Sequence, residues 1–228
     1  MLKTRLCHYR NFIKHIFRLV EKYLRIHITQ VHFYSPIPTV TELKQDIFTK
    51  VNDCVGLDFS VHDQMSNLNQ IFFKYLKEYV PPVNPGLAQV DAFILYAMIR
   101  NKKPKSLIEI GSGESTKISL VALRRNEQEG VACQFTAIEP FPMAFLKEIR
   151  NNNFKLIESK VQDVDIEFLS QADMLFIDSS HVAKIGSDVN YEIIDIVTRL
   201  KVGAVVHWHD IMIPADYQRE WIESGHMF

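Results

Sequence analysis

Cysteine is scarce in this chain, and the few cysteines are far apart. The 228 residues include three of them, Cys7, Cys54 and Cys133, and no two form a CxxC pair. An odd number of distant cysteines indicates neither a disulfide framework nor a zinc knuckle. Free thiols are typical of a reducing compartment, so the sequence predicts a cytoplasmic protein.

Long apolar runs and a charge of one sign are also missing. No stretch of 18 consecutive apolar residues occurs, so we expect no membrane span. The formal net charge is -1, which argues against a globally basic nucleic-acid-binding protein. With 47% hydrophobic and 23% charged residues, the composition is that of a globular protein with one α/β domain and an appendage.

Positive charge is nevertheless concentrated at the N-terminus. Residues 1–28 contain seven Lys and Arg side chains against a single acid, Glu21. Apolar residues recur among them at roughly helical spacing, which predicts a basic amphipathic helix. Two interpretations stay open: the helix packs on the main domain or on a second subunit of a homo-oligomer, or residues 1–28 contact an anionic membrane surface. Charges run through the apolar part, so the segment is not a signal peptide.

Prolines divide the first half of the chain. Pro36 and Pro38 end the first helix, and the run PPVNPG at residues 81–86 makes a second break. Between the breaks the sequence predicts helices at residues 41–50, 61–79 and 88–100, the last apolar on most sides and therefore buried. We thus predict three regions: the basic helix at residues 1–34, a helical lid at residues 35–103 and an α/β domain at residues 104–228.

Beyond residue 104, short apolar segments alternate with helical ones. Strands are predicted at residues 106–109, 134–138, 155–158, 174–177 and 204–207. Helices are predicted at residues 116–125, 142–150, 166–169, 189–200 and 217–223. Buried strands separated by helices indicate a Rossmann-like, doubly wound parallel sheet. Ligands of such sheets bind at the carboxyl ends of the strands, so the residues just after each strand are the candidate site.

A glycine-rich turn follows the first predicted strand. The run SLIEIGSGEST at residues 106–116 ends its strand near Glu109 and passes through Gly111, Ser112 and Gly113 into a helix. A helix N-terminus presents free backbone N–H groups and the positive end of the helix dipole. Because glycine has no Cβ, a ligand can approach this backbone closely. The turn therefore predicts a nucleotide-type cofactor loop.

Two cofactors fit such a loop, and the acids around it discriminate between them. In nicotinamide enzymes the loop is G-x-G-x-x-G, but here Thr116 occupies the third glycine position, and a Ser-Tyr-x-x-x-Lys set is missing. An acid at the end of the first strand, Glu109, suits the cationic sulfonium of S-adenosylmethionine instead. Glu139 follows 30 residues later, in place to hold the ribose, and Gln162 or Asp163 could reach the adenine.

At these residues the chain resembles a known group. The runs KPKSLIEIGSGEST, FTAIEP, FIDSSH and HWHD, spread over residues 84–210, and the upstream FYSPIP are similar to class I S-adenosylmethionine-dependent methyltransferases. More narrowly, they resemble metal-assisted O-methyltransferases that act on sugars of glycans and glycosylated natural products. The resemblance implies methylation of a hydroxyl on a sugar, glycan or small glycosylated acceptor. It implies these cofactor contacts: Glu109, Gly111, Ser112 and Gly113 to the methionine part, Glu139 to the ribose, and Gln162 and Asp163 to the adenine.

The same resemblance implies a catalytic set. In the similar enzymes an acid after the fourth strand and two after the fifth hold a divalent metal, Mg or Mn. A histidine three residues beyond the first acid serves as the base. Asp178 and His181 match that spacing, and His209 and Asp210 stand where the paired acids are expected. His209 departs from the pattern, because Mg²⁺ prefers oxygen ligands whereas an imidazole suits manganese, iron or zinc.

The C-terminal part is shorter than the resemblance implies. Sheets of this group normally have seven strands, yet Asp210 is followed by only eighteen residues. We therefore expect a C-terminally shortened member that lacks the last strand pair. Two other functions stay open: a partner protein that binds the cofactor without turnover, and a nicotinamide oxidoreductase.

Overall fold

The computed structural model describes residues 13, 15–26, 28, 37, 39, 41–44, 46–49 and 51–224. They fall into two compact units, one extending to Val51 and resuming at Ala215, the other spanning Asn52–Pro214. The boundaries predicted after residues 34 and 103 do not coincide with this division. The helices on either side of residue 80 share one apolar core with the sheet, so they belong to the same compact unit.

A five-stranded parallel sheet forms the centre of the second unit. The strands are β1 (Ser106–Ile110), β2 (Gln134–Ile138), β3 (Phe154–Ile157), β4 (Met174–Ile177) and β5 (Val205–Trp208). Their spatial order is β3-β2-β1-β4-β5, so the order reverses between β1 and β4. This arrangement confirms the predicted Rossmann-like, doubly wound fold, and it places the switch point, where ligands of such sheets bind, beside the glycine turn.

Helices connect the strands and flank the sheet. The α-helices are α1 (Val61–Tyr75), α2 (Gln89–Lys102), α3 (Ser115–Gln128), α4 (Ala144–Glu148), α5 (Ile166–Ser170), α6 (Asp188–Tyr191) and α7 (Arg219–Glu223). Residues 15–24 are also helical. Shorter 3₁₀ segments occur at Glu42–Lys44, Asp46–Thr49, Val161–Asp163 and Val197–Arg199, and Glu192–Ile196 is a π-helical turn.

Three predicted helices differ from the observed ones. The helix expected at residues 41–50 is two 3₁₀ turns. The helix expected at residues 61–79 ends at Tyr75, although the Tyr79 N–H still donates to the Tyr75 carbonyl at 3.1 Å, and the Tyr79 ring packs against Phe93 and Tyr96. The helix expected at residues 189–200 changes from α to π to 3₁₀ geometry, and such local widening is frequent at functional sites.

Apolar side chains cover both faces of the sheet. Successive residues of a strand point to opposite faces. Leu107 accordingly joins a cluster with α1, α2 and α3, whereas Ile108 joins one with Leu169 and Ile196. Helix α2 is buried along most of its length, as its sequence predicts. The strands are therefore fixed on both sides, and the loops at their carboxyl ends project from a rigid base.

A buried arginine links α2 to neighbouring helices on the face of the sheet where Leu107 packs. Arg100 is 3% exposed. Its guanidinium donates to Glu78 (Nε to Oε1, 2.7 Å), to Glu129 (Nη2 to Oε1, 2.5 Å) and to the Asn126 amide oxygen. The Asn126 amide nitrogen donates in turn to the Ile99 carbonyl at 3.0 Å. We call Arg100, Glu78, Asn126 and Glu129 the Arg100 network.

After β5 the described residues add no further strand to the sheet. The chain continues into a loop and the short helix α7, and Val51 and Ala215 form an isolated antiparallel bridge. Among the described residues, no helix combines the length and apolar character needed to cross a membrane.

Candidate active site

A cavity of about 430 Å³ opens at the carboxyl ends of β1, β2, β3 and β4. Its walls include residues from each of the loops that follow these strands: Gly111, Glu139, Phe141, Gln162, Asp178 and Ser179. Four residues singled out from the sequence therefore line one cavity, although they lie up to 67 positions apart in the chain. The parallel topology brings them together, as the switch-point rule predicts.

Gly111 sets the closest approach between the loops. Its φ of 79° lies in the left-handed region, and a Cβ built on it would lie 1.9 Å from the Asp178 carbonyl oxygen. Its N–H donates to the Ile138 carbonyl at 3.0 Å, and the Asp178 N–H donates to Ile110 at 2.8 Å. Only glycine can occupy this position without displacing the β4 loop. The turn thus forms one wall of the cavity from bare backbone.

Glu109 is completely buried at the end of β1. Its Oε1 accepts a hydrogen bond from Ser115 Oγ at 2.5 Å, while its Oε2 has no hydrogen-bond partner among the described residues. Burial raises the pKa of this carboxyl to about 8, against the weaker opposing effect of Ser115. Glu109, Ser112 and Gly113 do not line the cavity themselves. The turn therefore contributes one lining glycine and an acid with an unused oxygen next to it.

Residues after β2 and β3 form the opposite side of the cavity. Glu139 lines it, and its Oε1 accepts a hydrogen bond from the Phe141 backbone at 2.8 Å. Gln162 lines it as well and donates from Nε2 to the Gly186 carbonyl at 3.1 Å. Asp163 is exposed and lies outside the lining. Of the two adenine candidates, the structure brings only Gln162 to the cavity.

Two acids and two histidines meet where the β4 and β5 loops adjoin the cavity. We call Asp178, His181, His209 and Asp210 the acid–imidazole cluster. His181 Nε2 lies 3.4 Å from Asp178 Oδ1 and 3.7 Å from Asp210 Oδ2. His209 Nδ1 lies 3.4 Å from Asp178 Oδ1 and 3.2 Å from Asp210 Oδ1, without the alignment of a hydrogen bond. Ligand atoms of Asp178, His181 and Asp210 all lie within 4.8 Å of one another.

Charges in this cluster stabilise one another. Burial opposes ionisation of Asp178, but contacts with His181 and His209 outweigh it and lower the carboxyl pKa to about 2. The Asp178 carboxylate in turn raises the pKa of both imidazoles, against the effect of their partial burial. His207 lies in β5 with its ring 4.9 Å from that of Phe176, and burial lowers its pKa to about 4. His207 is partly buried, and its low pKa favours the neutral imidazole, so it is not counted in the cluster.

The backbone of the cluster is strained. His181 and Asp210 have φ values of 59° and 56°, in the left-handed region that residues with a Cβ seldom adopt. Each such residue costs about 1 kcal/mol or more, and such strain concentrates at functional sites. The strained positions are those that turn the two loops towards Asp178.

Two acids that the sequence analysis missed hold the β4 loop. Asp188 accepts from the Ser180 N–H at 3.0 Å, and Glu192 Oε2 accepts from Ser179 Oγ at 3.1 Å. Glu192 is fully buried in the π-helical turn, and burial raises its pKa to about 7. The N-cap run SDVN at residues 187–190 could have indicated Asp188. No local pattern marks Glu192, since its contact depends on the π turn.

Asp91 is a third missed residue. It lies in the first turn of α2, and its Oδ2 is 3.9 Å from His209 Nε2. Because α2 precedes the glycine turn, sequence position alone assigns this acid to a helix surface. The structure instead places a half-exposed carboxylate beside the acid–imidazole cluster.

Comparisons with known proteins agree with this site. Residues 108–211 match the family described as "Methyltransferase domain". That span begins in β1 and ends one residue beyond Asp210, so it contains the turn, the cavity and the acid–imidazole cluster. A protein of Archaeoglobus fulgidus is 29% identical over 157 residues, which cover 60% of this chain and 70% of that protein.

Solved structures similar to this chain include two methyltransferases. The SAH-bound methyltransferase PaMTH1 of Podospora anserina has a TM-score of 0.43 and 17% identity, covering 70% of this chain and 73% of that one. An O-methyltransferase of Bacillus cereus in complex with SAH has a TM-score of 0.37 and 14% identity, covering 68% and 67%. Residues 108–211, which carry this site, are therefore similar to a methyltransferase domain.

Proposed function

We propose that this protein is an S-adenosylmethionine-dependent O-methyltransferase, acting on a hydroxyl of a sugar, a glycan or a small glycosylated molecule. The observation that carries the proposal is the acid–imidazole cluster at the rim of a cavity walled by a bare glycine turn. Asp178 belongs to both, since it lines the cavity and contacts His181. A methyl donor in the cavity and an acceptor at the cluster would therefore meet at one residue.

The cavity residues, together with the buried Glu109 next to the glycine turn, fit the cofactor. Glu109 has a buried oxygen without a partner, and a carboxylate there suits the positive charge of the methionine part. Gly111 contributes bare backbone to the cavity wall, Glu139 would accept hydrogen bonds from ribose hydroxyls, and Gln162 would offer an amide to the adenine. When bound, S-adenosylmethionine supplies an electrophilic methyl group on a sulfonium.

His181 is the proposed general base. Its Nε2 faces Asp178 and Asp210, which orient the ring and stabilise the imidazolium formed when it accepts the proton of the acceptor hydroxyl. The left-handed backbone at His181 turns the ring back towards β4. A base held in this way removes a proton at a defined position, and the hydroxyl oxygen becomes the nucleophile.

A divalent metal fits the same cluster. Asp178 and Asp210 offer oxygens, and His209 Nδ1 is a buried nitrogen without a hydrogen bond that lies against both. Such a mixed nitrogen and oxygen set suits Mn²⁺ better than Mg²⁺. A metal held there would supply positive charge to a developing alkoxide. With Asp178, His209 and Asp210 as ligands, His181 would act as the base, whereas a metal held by Asp178, His181 and Asp210, whose ligand atoms lie within 4.8 Å of one another, would exclude that role.

The proposed class of acceptor follows from the polar side chains at the acid–imidazole cluster. Asp91 and Asp210 present carboxylate oxygens within reach of His209. Neighbouring carboxylates accept hydrogen bonds from adjacent hydroxyls, which a sugar carries and a simple alcohol does not. This favours a polyhydroxylated acceptor over an apolar one.

Calorimetry and methyl-transfer assays test the proposal. We expect the protein to bind S-adenosylhomocysteine and not NAD, and to methylate members of a sugar panel with Mn²⁺ or Mg²⁺ present. His181→Ala should lower the transfer rate about 100-fold to 10,000-fold, the usual contribution of a positioned base. His62→Ala is the matched control, because the His62 side chain is 97% exposed.

Each alternative has its own outcome. S-adenosylhomocysteine binding without transfer to any acceptor would indicate a partner protein that lacks turnover. NAD binding would indicate an oxidoreductase. Transfer that survives His181→Ala unchanged would remove His181 as the base while leaving the methyltransferase activity in place.

A further inference from the structure

The helix at residues 15–24 carries an apolar stripe whose described side chains are exposed. Ile16 and Leu19 are each 40% exposed, Leu24 is 64% exposed and Tyr23 is 71% exposed. At 100° per residue these four side chains fall on one side of the helix, within a sector of about 140°. A sector of this width normally faces a protein core. Here it faces outward.

The opposite side of the helix is basic. Arg18 and Lys22 lie more than 90° from the middle of the apolar stripe, Arg25 follows the helix with a φ of 55°, and Glu21 is the single acid of the helix. Lys22 Nζ lies 5.2 Å from the centre of the Tyr23 ring, at the border between the two sides. Long basic side chains at such a border can reach the headgroups of a bilayer while the apolar side is buried.

Charge is segregated between this segment and the rest of the protein. Residues 1–28 contain seven basic residues and one acid, whereas the remaining 200 contain nineteen basic and twenty-six acidic residues. The segment therefore attracts an anionic surface that the rest of the chain repels. This polarity would orient the protein with its N-terminal helix towards such a surface.

We propose that this helix lies in the interface of an anionic lipid bilayer, with Ile16, Leu19, Tyr23 and Leu24 buried among the upper acyl chains. An amphipathic helix with an apolar side and basic residues binds anionic interfaces in this manner. A second copy of the chain is a weaker partner, because a symmetric contact through the same stripe would bring two basic helices together. Arg18, Lys22 and Arg25 would then repel their own copies.

Vesicle co-sedimentation of the full chain tests the proposal. We expect binding to vesicles of phosphatidylcholine with 30% phosphatidylglycerol, and at least about tenfold weaker binding to pure phosphatidylcholine. Binding to the anionic vesicles should fall when NaCl is raised to 0.5 M, since screening shortens the range of the attraction. Equal binding to both vesicle types, or to neither, would contradict the proposal.

Two triple variants separate the charged and apolar contributions. The charge variant Arg18→Gln, Lys22→Gln, Arg25→Gln should weaken binding to anionic vesicles on the order of 100-fold. Its matched control is Lys77→Gln, Lys102→Gln, Arg124→Gln, which removes the same charge from the second unit. The apolar variant Ile16→Ser, Leu19→Ser, Tyr23→Ser should abolish binding to vesicles. Its matched control is Val55→Ser, Val83→Ser, Val202→Ser, three side chains that are at least 85% exposed elsewhere.

Sedimentation velocity without lipid tests whether a second copy of the chain, and not a bilayer, covers the apolar stripe. The proposal predicts that the apolar variant and the unchanged protein have the same oligomeric state. If the apolar variant instead dissociates a dimer and binds vesicles as the unchanged protein does, the stripe is a subunit interface. The result does not depend on methyl transfer, since neither measurement uses the active site.

Discussion

Charge is buried at two places in the second unit, and the two differ in how completely it is paired. In the Arg100 network the guanidinium makes five hydrogen bonds, to Glu78, Glu129 and Asn126. At the carboxyl edge of the sheet, Glu109 Oε2, Glu192 Oε1 and His209 Nδ1 are buried without one. A buried polar group that is unpaired costs about 1–3 kcal/mol. The first place therefore contributes to stability, whereas the second keeps bonding capacity for ligands.

The Arg100 network and the carboxyl edge of the sheet also differ in backbone geometry. Arg100 lies inside a regular helix, and its partners lie on or beside helices that pack against it. His181 and Asp210 sit in left-handed turns, and Glu192 lies in a π-helical turn. Left-handed turns and unpaired buried atoms thus occur together at this edge of the sheet, and Lys103, with a φ of 48°, and Tyr79 Oη are the exceptions near the Arg100 network. The comparison predicts that changes at the cavity affect ligand binding first, whereas changes in the Arg100 network affect stability first.

The largest effect is expected for Gly111→Ala. Its new Cβ would lie 1.9 Å from the Asp178 carbonyl oxygen, so the loops after β1 and β4 must separate. We expect the affinity for S-adenosylhomocysteine to fall at least about 100-fold, because the cavity wall is built from this contact. Titration calorimetry measures the change.

Gly203→Ala is the control for this variant. Gly203 also has a left-handed φ, 89°, but nothing lies within 4 Å of the position of its Cβ. It shares the conformational cost of about 1 kcal/mol without the clash. Full affinity in Gly111→Ala would show that the wall does not form part of the cofactor site.

Arg100→Met should have the next largest effect, and on stability alone. Removing the cation leaves Glu78 and Glu129 without their main partner. Because both carboxylates are partly exposed, we expect a loss of about 2–4 kcal/mol, somewhat below the value for a fully buried pair. Thermal unfolding should shift down by about 5–15 °C, with S-adenosylhomocysteine affinity unchanged at 20 °C.

Lys103→Met tests whether the burial of Arg100 is the reason for the large loss of stability expected in Arg100→Met. Lys103 contacts the same Glu129 carboxylate at 2.7 Å, yet it is 38% exposed. A shift of less than about 3 °C is expected for it. If Arg100→Met and Lys103→Met shifted the transition equally, the Arg100 network would be an ordinary surface ion-pair cluster.

A smaller change in affinity is expected when the pH is varied, and it should depend on the ionisation of Glu109. Its pKa is raised to about 8 by burial, so the free protein holds the carboxyl proton at neutral pH. S-adenosylhomocysteine has no sulfonium, but the ammonium group of its homocysteine part favours the ionised form, and binding below pH 8 therefore releases a proton. We expect affinity for S-adenosylhomocysteine to rise about tenfold between pH 6.5 and 8.

Calorimetry in two buffers of different ionisation enthalpy counts that proton. Glu109→Gln keeps the shape of the side chain and its contact with Ser115 but cannot ionise, so its weaker affinity should not vary over this range. An affinity that is independent of pH in the unchanged protein would show that Glu109 does not sense the ligand.

The fold followed from the sequence more completely than the site did. The bounds of β2 and β4 coincide with the predicted strands, because buried parallel strands are short apolar runs that turns interrupt on both sides. Gly111, Glu139, Gln162 and Asp178 line the cavity as the switch-point rule predicts. Chain order alone is sufficient for that rule, since Gly111, Glu139 and Asp178 directly follow their strands and Gln162 lies in the loop after β3.

Residues that reach the site from other elements could not be predicted in this way. Asp91 comes from a helix that precedes the sheet, and Glu192 depends on a π turn that helical periodicity does not reveal. The choice of Gln162 over Asp163 at the cavity wall depends on one 3₁₀ turn. Local patterns predict elements, whereas these contacts depend on how the elements pack.

The smallest effect is expected for an ion pair that is as short as the Arg100–Glu129 pair but is half exposed to water. Lys147 Nζ and Glu158 Oε2 are 2.5 Å apart, as close as Arg100 and Glu129, and both side chains are about half exposed. Water screens such a pair, so Lys147→Gln should change stability by less than about 1 kcal/mol. A double-mutant cycle with Glu158→Gln isolates the coupling. A coupling energy as large as that between Arg100 and Glu129 would mean that the length of an ion pair, and not its burial, determines how much it stabilises the protein.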